Sequence, residues 1–152
     1  MKLINVFPPT AHKVFLRTDP MINAEIRNQT IKNLNLYKNC TEEELTDRIR
    51  QLGLEWDTER ALQAKAGVLL LISSLLGTKI GRYAFLLTGV IGIFILQHAL
   101  QGWSPTLPFA RKWGIRTADE IYGEKTVLKM MRGDFAEQNS SVEEMLNVAE
   151  KQ

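Results

Sequence analysis

Only one cysteine, Cys40, occurs in the chain, so no intrachain disulfide can form and a small secreted, disulfide-stapled fold is excluded. Basic blocks are missing as well. Lys and Arg number 19 against 17 Asp and Glu, a net charge of +2, and nothing offers the row of phosphate contacts that a nucleic-acid partner requires. No strand-like alternation or hairpin turn is present, which predicts an all-α chain. The residues from Met1 to Thr10 hold one lysine, a short apolar patch and Pro8-Pro9. They lack the apolar core of a signal peptide, so no cleaved leader is expected. At 152 residues there is room for one small domain, or for a pair of membrane spans with tails.

The most informative shortage is of charge. The 45 residues from Ala66 to Ala110 carry two formal charges, Lys79 and Arg82, whereas almost one residue in three is charged elsewhere. A helix that crosses a hydrocarbon core of about 30 Å needs roughly 20 apolar residues. Tyr83 to Gln101 meets this, with only the titratable His98 inside it. The first candidate is shorter between Lys65 and Lys79. It reaches spanning length when Ala61 begins it and the long Lys65 stem snorkels toward the headgroups. The competing expectation is a soluble helical hairpin buried inside its own termini.

Six of the ten glycines (Gly67, Gly77, Gly81, Gly89, Gly92 and Gly102) fall inside or at the edge of this apolar window, where a water-soluble helix avoids them. Ser73 and Gly77 on the first segment, and Ala84, Thr88 and Gly92 on the second, recur four residues apart. Such faces let two backbones approach closely in lipid and are the expected helix-packing seam. Gln97, His98 and Gln101 form a polar patch near the end of the second segment, with Gln101 the expected hydrogen-bond partner of His98. Beyond it, Trp103, Phe109 and Trp113 have the character of a membrane–water aromatic belt, with Arg111 and Lys112 as cationic anchors. Pro105 and Pro108 stop the span.

The flanks are punctuated as helices. Thr41 to Glu44 and Thr117 to Glu120 are capping boxes, Asp57 is an N-cap, and Gly53 and Gly133 are expected helix ends. A third box, Ser141 to Glu144, predicts a short C-terminal helix. The chain therefore divides into an extended N-terminal segment (1–20), a polar helical region (21–57), a transmembrane hairpin (58–102), an interfacial segment (103–116), a C-terminal helix (117–133), and a linker with a short helix (134–152).

No chemistry-bearing constellation stands out in the sequence. Cys40 lies beside three glutamates, which raise rather than lower a thiol pKa. His12 and His98 have no ligand at metal-site spacing, and no phosphate-binding glycine loop occurs. The expectation is no catalytic residue, no metal and no cofactor.

Four stretches, Leu54–Ala61, Gln97–Pro105, Gly114–Ile121 and Leu128–Phe135, together with the glycine-broken apolar hairpin, resemble the YgaP-like inner-membrane transmembrane family of bacteria over about residues 22–135. The resemblance implies a two-helix membrane hairpin, in a family largely of unknown function and sometimes fused to a rhodanese sulfurtransferase domain. Relatives commonly carry Cys-Pro after Gly-Trp; this chain has Ser104-Pro105, so no thiol stands there. Nor does Cys40 lie in a persulfide-cradling loop.

The chain is thus expected to be a membrane anchor or interaction module, self-associating in the bacterial inner membrane and displaying polar helices to a protein partner. The alternatives are a subunit of an oligomeric transporter, with Lys79, Arg82 and His98 as its titratable groups, and a soluble helical binding protein. Lys and Arg number four in residues 46–65, three in 103–122 and two in the 78–82 turn. That asymmetry predicts cytoplasmic termini.

Overall fold

The computed structural model describes residues 10–81 and 83–135, the side chains of residues 10–12, 80 and 84 excepted. Every element among the described residues is helical: α1 (Thr10–Arg17), α2 (Pro20–Leu36), α3 (Glu42–Leu54), α4 (Thr58–Ile80), α5 (Tyr83–Gln101), α6 (Leu107–Lys112) and α7 (Ala118–Arg132). The chain divides into two compact units, Met1–Asn23 with Trp56–Asp119 and Ala24–Glu55 with Glu120–Gln152.

In the first unit α4 and α5 pack side by side. The Ser73 hydroxyl bonds that of Thr88 at 2.8 Å, and Gly77 faces the Phe85 ring. Moving up one helix thus moves down the other, so the pair is antiparallel. At 1.5 Å per residue, α4 is about 34 Å long and α5 about 28 Å, matching a hydrocarbon core of about 30 Å. Asp57 caps α4 by accepting the Arg60 N–H at 2.7 Å, and Gly81, at φ +128°, ends it.

The extended segment expected at 1–20 is corrected over Thr10–Arg17, which form α1. Its prolines flank the helix rather than interrupt it: Pro8 and Pro9 lie before Thr10, and Pro20 opens α2, a position where the missing N–H costs nothing. The Gly53 stop is also corrected, since α3 runs through it to Leu54, with an extended Glu55 as the cap. The interfacial segment contains α6, which sequence punctuation did not suggest. The C-terminal capping box at Ser141, and most of the 134–152 segment, lie outside the described residues.

The second unit is a small polar-faced cluster whose core is Leu45, Ile49 and Leu52 of α3 against Ile121 and Leu128 of α7, with Leu34 and Tyr37 packed on it. The Thr41 capping box is formed: Thr41 Oγ1 accepts the Glu44 N–H, and Glu44 Oε2 accepts the Thr41 N–H at 2.8 Å. The Thr41 N–H, and then its hydroxyl, hold the Glu44 carboxyl below its ordinary value of 4.5. A depressed carboxylate stabilises the fold above its unfolded pKa, and that contribution is lost as pH falls through the folded one. Helicity near α3 is therefore expected to decline below about pH 4.5, and Glu44→Gln should flatten that part of the pH profile followed by circular dichroism.

Candidate functional site

The helix pair keeps its apolar side chains outside. A helical stretch ending at Lys79 is long and apolar enough to cross a membrane, yet only 17% of its apolar window is buried within the protein. The core helix of a soluble protein is mostly buried, so this number speaks for the membrane reading over a hairpin buried in its own termini. In α5 the apolar helix Phe85–Gln101 is slightly shorter, and Leu86, Ile93 and Leu96 are likewise exposed.

Between the helices, the predicted packing residues separate into two groups. Ser73 is 1% exposed and Gly77 is buried. Their hydrogen bond to Thr88 and contact with Phe85 place Ser73, Gly77 and Thr88 in the α4–α5 seam. Gly92 is not in it, for a methyl group built there meets nothing within 4 Å. The side chain of Ala84 lies outside the description. Ser73→Ala should cost only about 0.6 kcal/mol, the usual size of an interhelical polar contact in lipid. Ser73→Leu should overfill the seam by about 1–3 kcal/mol. Thermal unfolding in micelles that ranks the alanine variant below the leucine one would contradict this packing.

The polar end of the pair is a braced junction. Thr58, fully buried at the start of α4, donates its hydroxyl to Arg116 O at 2.9 Å, and its N–H binds the same oxygen at 2.8 Å. At the end of α5, Gly102 turns the chain at φ +66°. There α1 packs on α5, and Lys13 Nζ donates to Leu100 O at 2.8 Å, a cation on a C-terminal carbonyl that complements the helix dipole. Val14 of α1 is enclosed with Leu62 and Leu107.

Around this junction Trp103, Phe109, Lys112 and Trp113 are exposed, as belt residues must be. Arg111 departs from the anchor role: it is 1% exposed, and its guanidinium donates to Ile115 O at 3.1 Å and Asn23 Oδ1 at 2.8 Å, holding the α6 turn instead of reaching headgroups. One further aromatic stands at the start of α4. Trp56, half exposed just before α4, lies 4.7 Å under the Arg60 guanidinium. A tryptophan immediately before the N-cap of an apolar helix was the available signal.

His98 does not bond Gln101. Both its ring nitrogens are buried with no hydrogen-bond partner among the described residues, whereas Gln101 is exposed. The imidazole instead lines a cavity of about 240 Å³ between α4 and α5, closed at one end by Ser104, Pro105 and Thr106. Among the described residues no three His, Cys, Asp or Glu side chains are placed to hold a metal ion. The Cys40 thiol is raised by desolvation and then by the Glu44 charge, and its Sγ donates to Leu36 O at 3.4 Å.

The stretch that contains both apolar helices and the braced junction, residues 57–120, matches the family described as inner membrane protein YgaP-like, transmembrane domain. Over these residues the chain is similar to that transmembrane domain. The match is narrower than the 22–135 resemblance and leaves out most of the second unit. No curated protein and no solved structure gives a significant match. That similarity and the exposed apolar helices are those of a helical membrane protein and point to the inner membrane.

Proposed function

We propose that the chain is a non-catalytic membrane anchor and self-association module, with α4 and α5 both spanning the inner membrane and the polar helices of the second unit displayed to a protein partner. The observation that carries this is the open face of α5. Gly89 and Gly92, three residues apart, have nothing within 4 Å of a methyl group built on either. Small residues left unpacked by their own chain suit close approach of another backbone, the main route to helix association in lipid. The excess of Lys and Arg around residues 46–65 and 103–122 over the 78–82 turn supports cytoplasmic termini.

The test is energy transfer between labelled copies in liposomes at decreasing protein-to-lipid ratio. Gly92→Leu should weaken self-association about tenfold, on the order of 1.4 kcal/mol, while Leu86→Ala leaves it unchanged. Unaltered transfer in Gly92→Leu, with a loss in Leu86→Ala, places the contact on another face.

A further inference from the structure

α1 is held at one depth of the helix pair and leaves two large apolar side chains uncovered there. Lys13 Nζ reaches Leu100 O, in the last turn of α5, at 2.8 Å. Val14 is enclosed with Leu62, in the second turn of α4, and with Leu107. At these positions both helices pass from apolar to polar sequence, so α1 lies at the level where hydrocarbon gives way to headgroups. Phe15 and Leu16 nevertheless stay 45% and 65% exposed, next to the exposed Arg17. Two carbonyls of the last turn are already bonded: Val14 O accepts the Thr18 hydroxyl at 2.7 Å, and Phe15 O accepts from Asn23 Nδ2 at 2.9 Å. This end of α1 thus meets acyl chains without bringing those acceptors bare into them. The charge around it favours an anionic surface. Residues 10–23, 56–69 and 102–119 hold seven Lys and Arg against four Asp and Glu, a surplus of three cations. Among the described residues no carboxylate pairs with Arg17 or with the exposed Lys112 of α6.

We propose that α1 is an in-plane surface helix that reads anionic phospholipid: Phe15 and Leu16 sink beside the upper acyl chains, while Arg17, with Lys112 of α6, engages headgroup phosphates. Apolar insertion and attraction to anionic lipid are the two terms that bind a helix at an interface. Phosphatidylcholine carries phosphate without net charge, so only the first term acts there in full. A cation near an anionic surface adds the second, which salt screens. This contact adds to the anchor role and rests on α4 and α5 spanning the membrane; it does not depend on self-association.

The experiment puts a nitrobenzoxadiazole label on the full chain at Leu16→Cys, Ile93→Cys or Asn39→Cys, each in a Cys40→Ser background. The vesicles are phosphatidylcholine alone, or equal parts phosphatidylcholine and phosphatidylglycerol, with a doxyl quencher either near the headgroup or near the chain end. The Leu16 label should be quenched from the headgroup end and not from the chain end. That quenching should be about fivefold stronger with phosphatidylglycerol, the scale of one cation at an anionic surface, and high salt should remove the gain. Arg17→Gln should lose most of the gain, and Phe15→Ser should lower the quenching in both vesicles. The Ile93 label, near the middle of α5, should be quenched from the chain end in both, and the Asn39 label by neither quencher. Equal quenching of the Leu16 label in the two vesicles would show that lipid charge is not read and would overturn the proposal. So would a Leu16 label that neither quencher reaches while the Ile93 label stays quenched, which puts α1 in water with the spans intact. Loss of quenching at Ile93 would instead overturn the spanning reading, and this contact with it. Disulfide-linked pairs of Leu16→Cys chains in place of quenching would overturn it too, because a second copy would then cover the face.

Discussion

Replacing Gly102 by alanine is expected to cost about 3–4 kcal/mol of stability. Two effects add. A side chain at φ +66° carries about 1 kcal/mol of backbone strain. The new Cβ also collides with Lys13 Cβ, and it comes within 3.1 Å of the Lys13 carbonyl carbon and 3.2 Å of the Val14 nitrogen. Backbone cannot swing aside as a side-chain tip can, so α1 has to lift. Lys13 then loses Leu100 O, and Val14, fully buried beside Leu62 and Leu107, gives up about 1.5–2 kcal/mol of apolar burial. Gly114→Ala separates the two effects. Gly114 sits at φ +78° with open space around it, so only the strain of about 1 kcal/mol is expected there. Denaturation in micelles, with proteolysis after α1 as a second readout, measures both. Equal losses in the two variants would mean that α1 is not locked on Gly102.

The second large effect belongs to the other unit. Arg48 donates through Nε and Nη2 to Glu124 Oε1, at 3.3 and 2.9 Å, and stacks over the Tyr37 ring at 5.9 Å. The Glu124 side chain has no exposed surface, and that of Arg48 keeps 19%. Removing one member of such a pair generally costs about 3–5 kcal/mol, because the other charge stays desolvated. Glu124→Leu is expected near the lower end, about 3 kcal/mol, since Arg48 retains an opening to water. Arg48→Met should cost at least as much, because it takes the guanidinium from a carboxylate that has no such opening. The double variant Arg48→Met/Glu124→Leu should recover most of the loss, as buried pairs replaced by apolar groups of like volume often do. A double-mutant cycle with additive losses would show that the two side chains do not work as a pair.

What the sequence made legible was local or depended on absence. The Thr41–Glu44 box and the Asp57 cap act over three residues, so spacing alone reveals them. The limits of α5 follow from where charge stops and Gly102 and Pro105 begin. What stayed hidden was tertiary. The eight residues of α1 have little helical tendency to spare beside three prolines and are held by Lys13 reaching a carbonyl 87 positions away. Arg111 stands between aromatic residues like a headgroup anchor, but Asn23, 88 positions away, draws it inward. The seam was half legible. Four-residue spacing marks every small face, and only the register of α4 on α5 decides that Ser73 and Gly77 are used while Gly92 is left open. His98 was visible as an odd ionisable group, yet its cavity needs walls from α4 and from Ser104–Thr106.

The central claim is that the exposed apolar faces of α4 and α5 meet lipid. Leu71 on α4 and Ile93 on α5 are 67% and 64% exposed in the protein, so water would reach both freely if the chain were soluble. Single cysteines placed there in a Cys40→Ser background, treated in intact membrane vesicles with a membrane-impermeant maleimide, test this directly. Both positions should resist labelling until detergent is added, while a cysteine at the exposed Asn39 reacts at once in inside-out vesicles. Rapid labelling of Leu71→Cys and Ile93→Cys without detergent would contradict the membrane assignment.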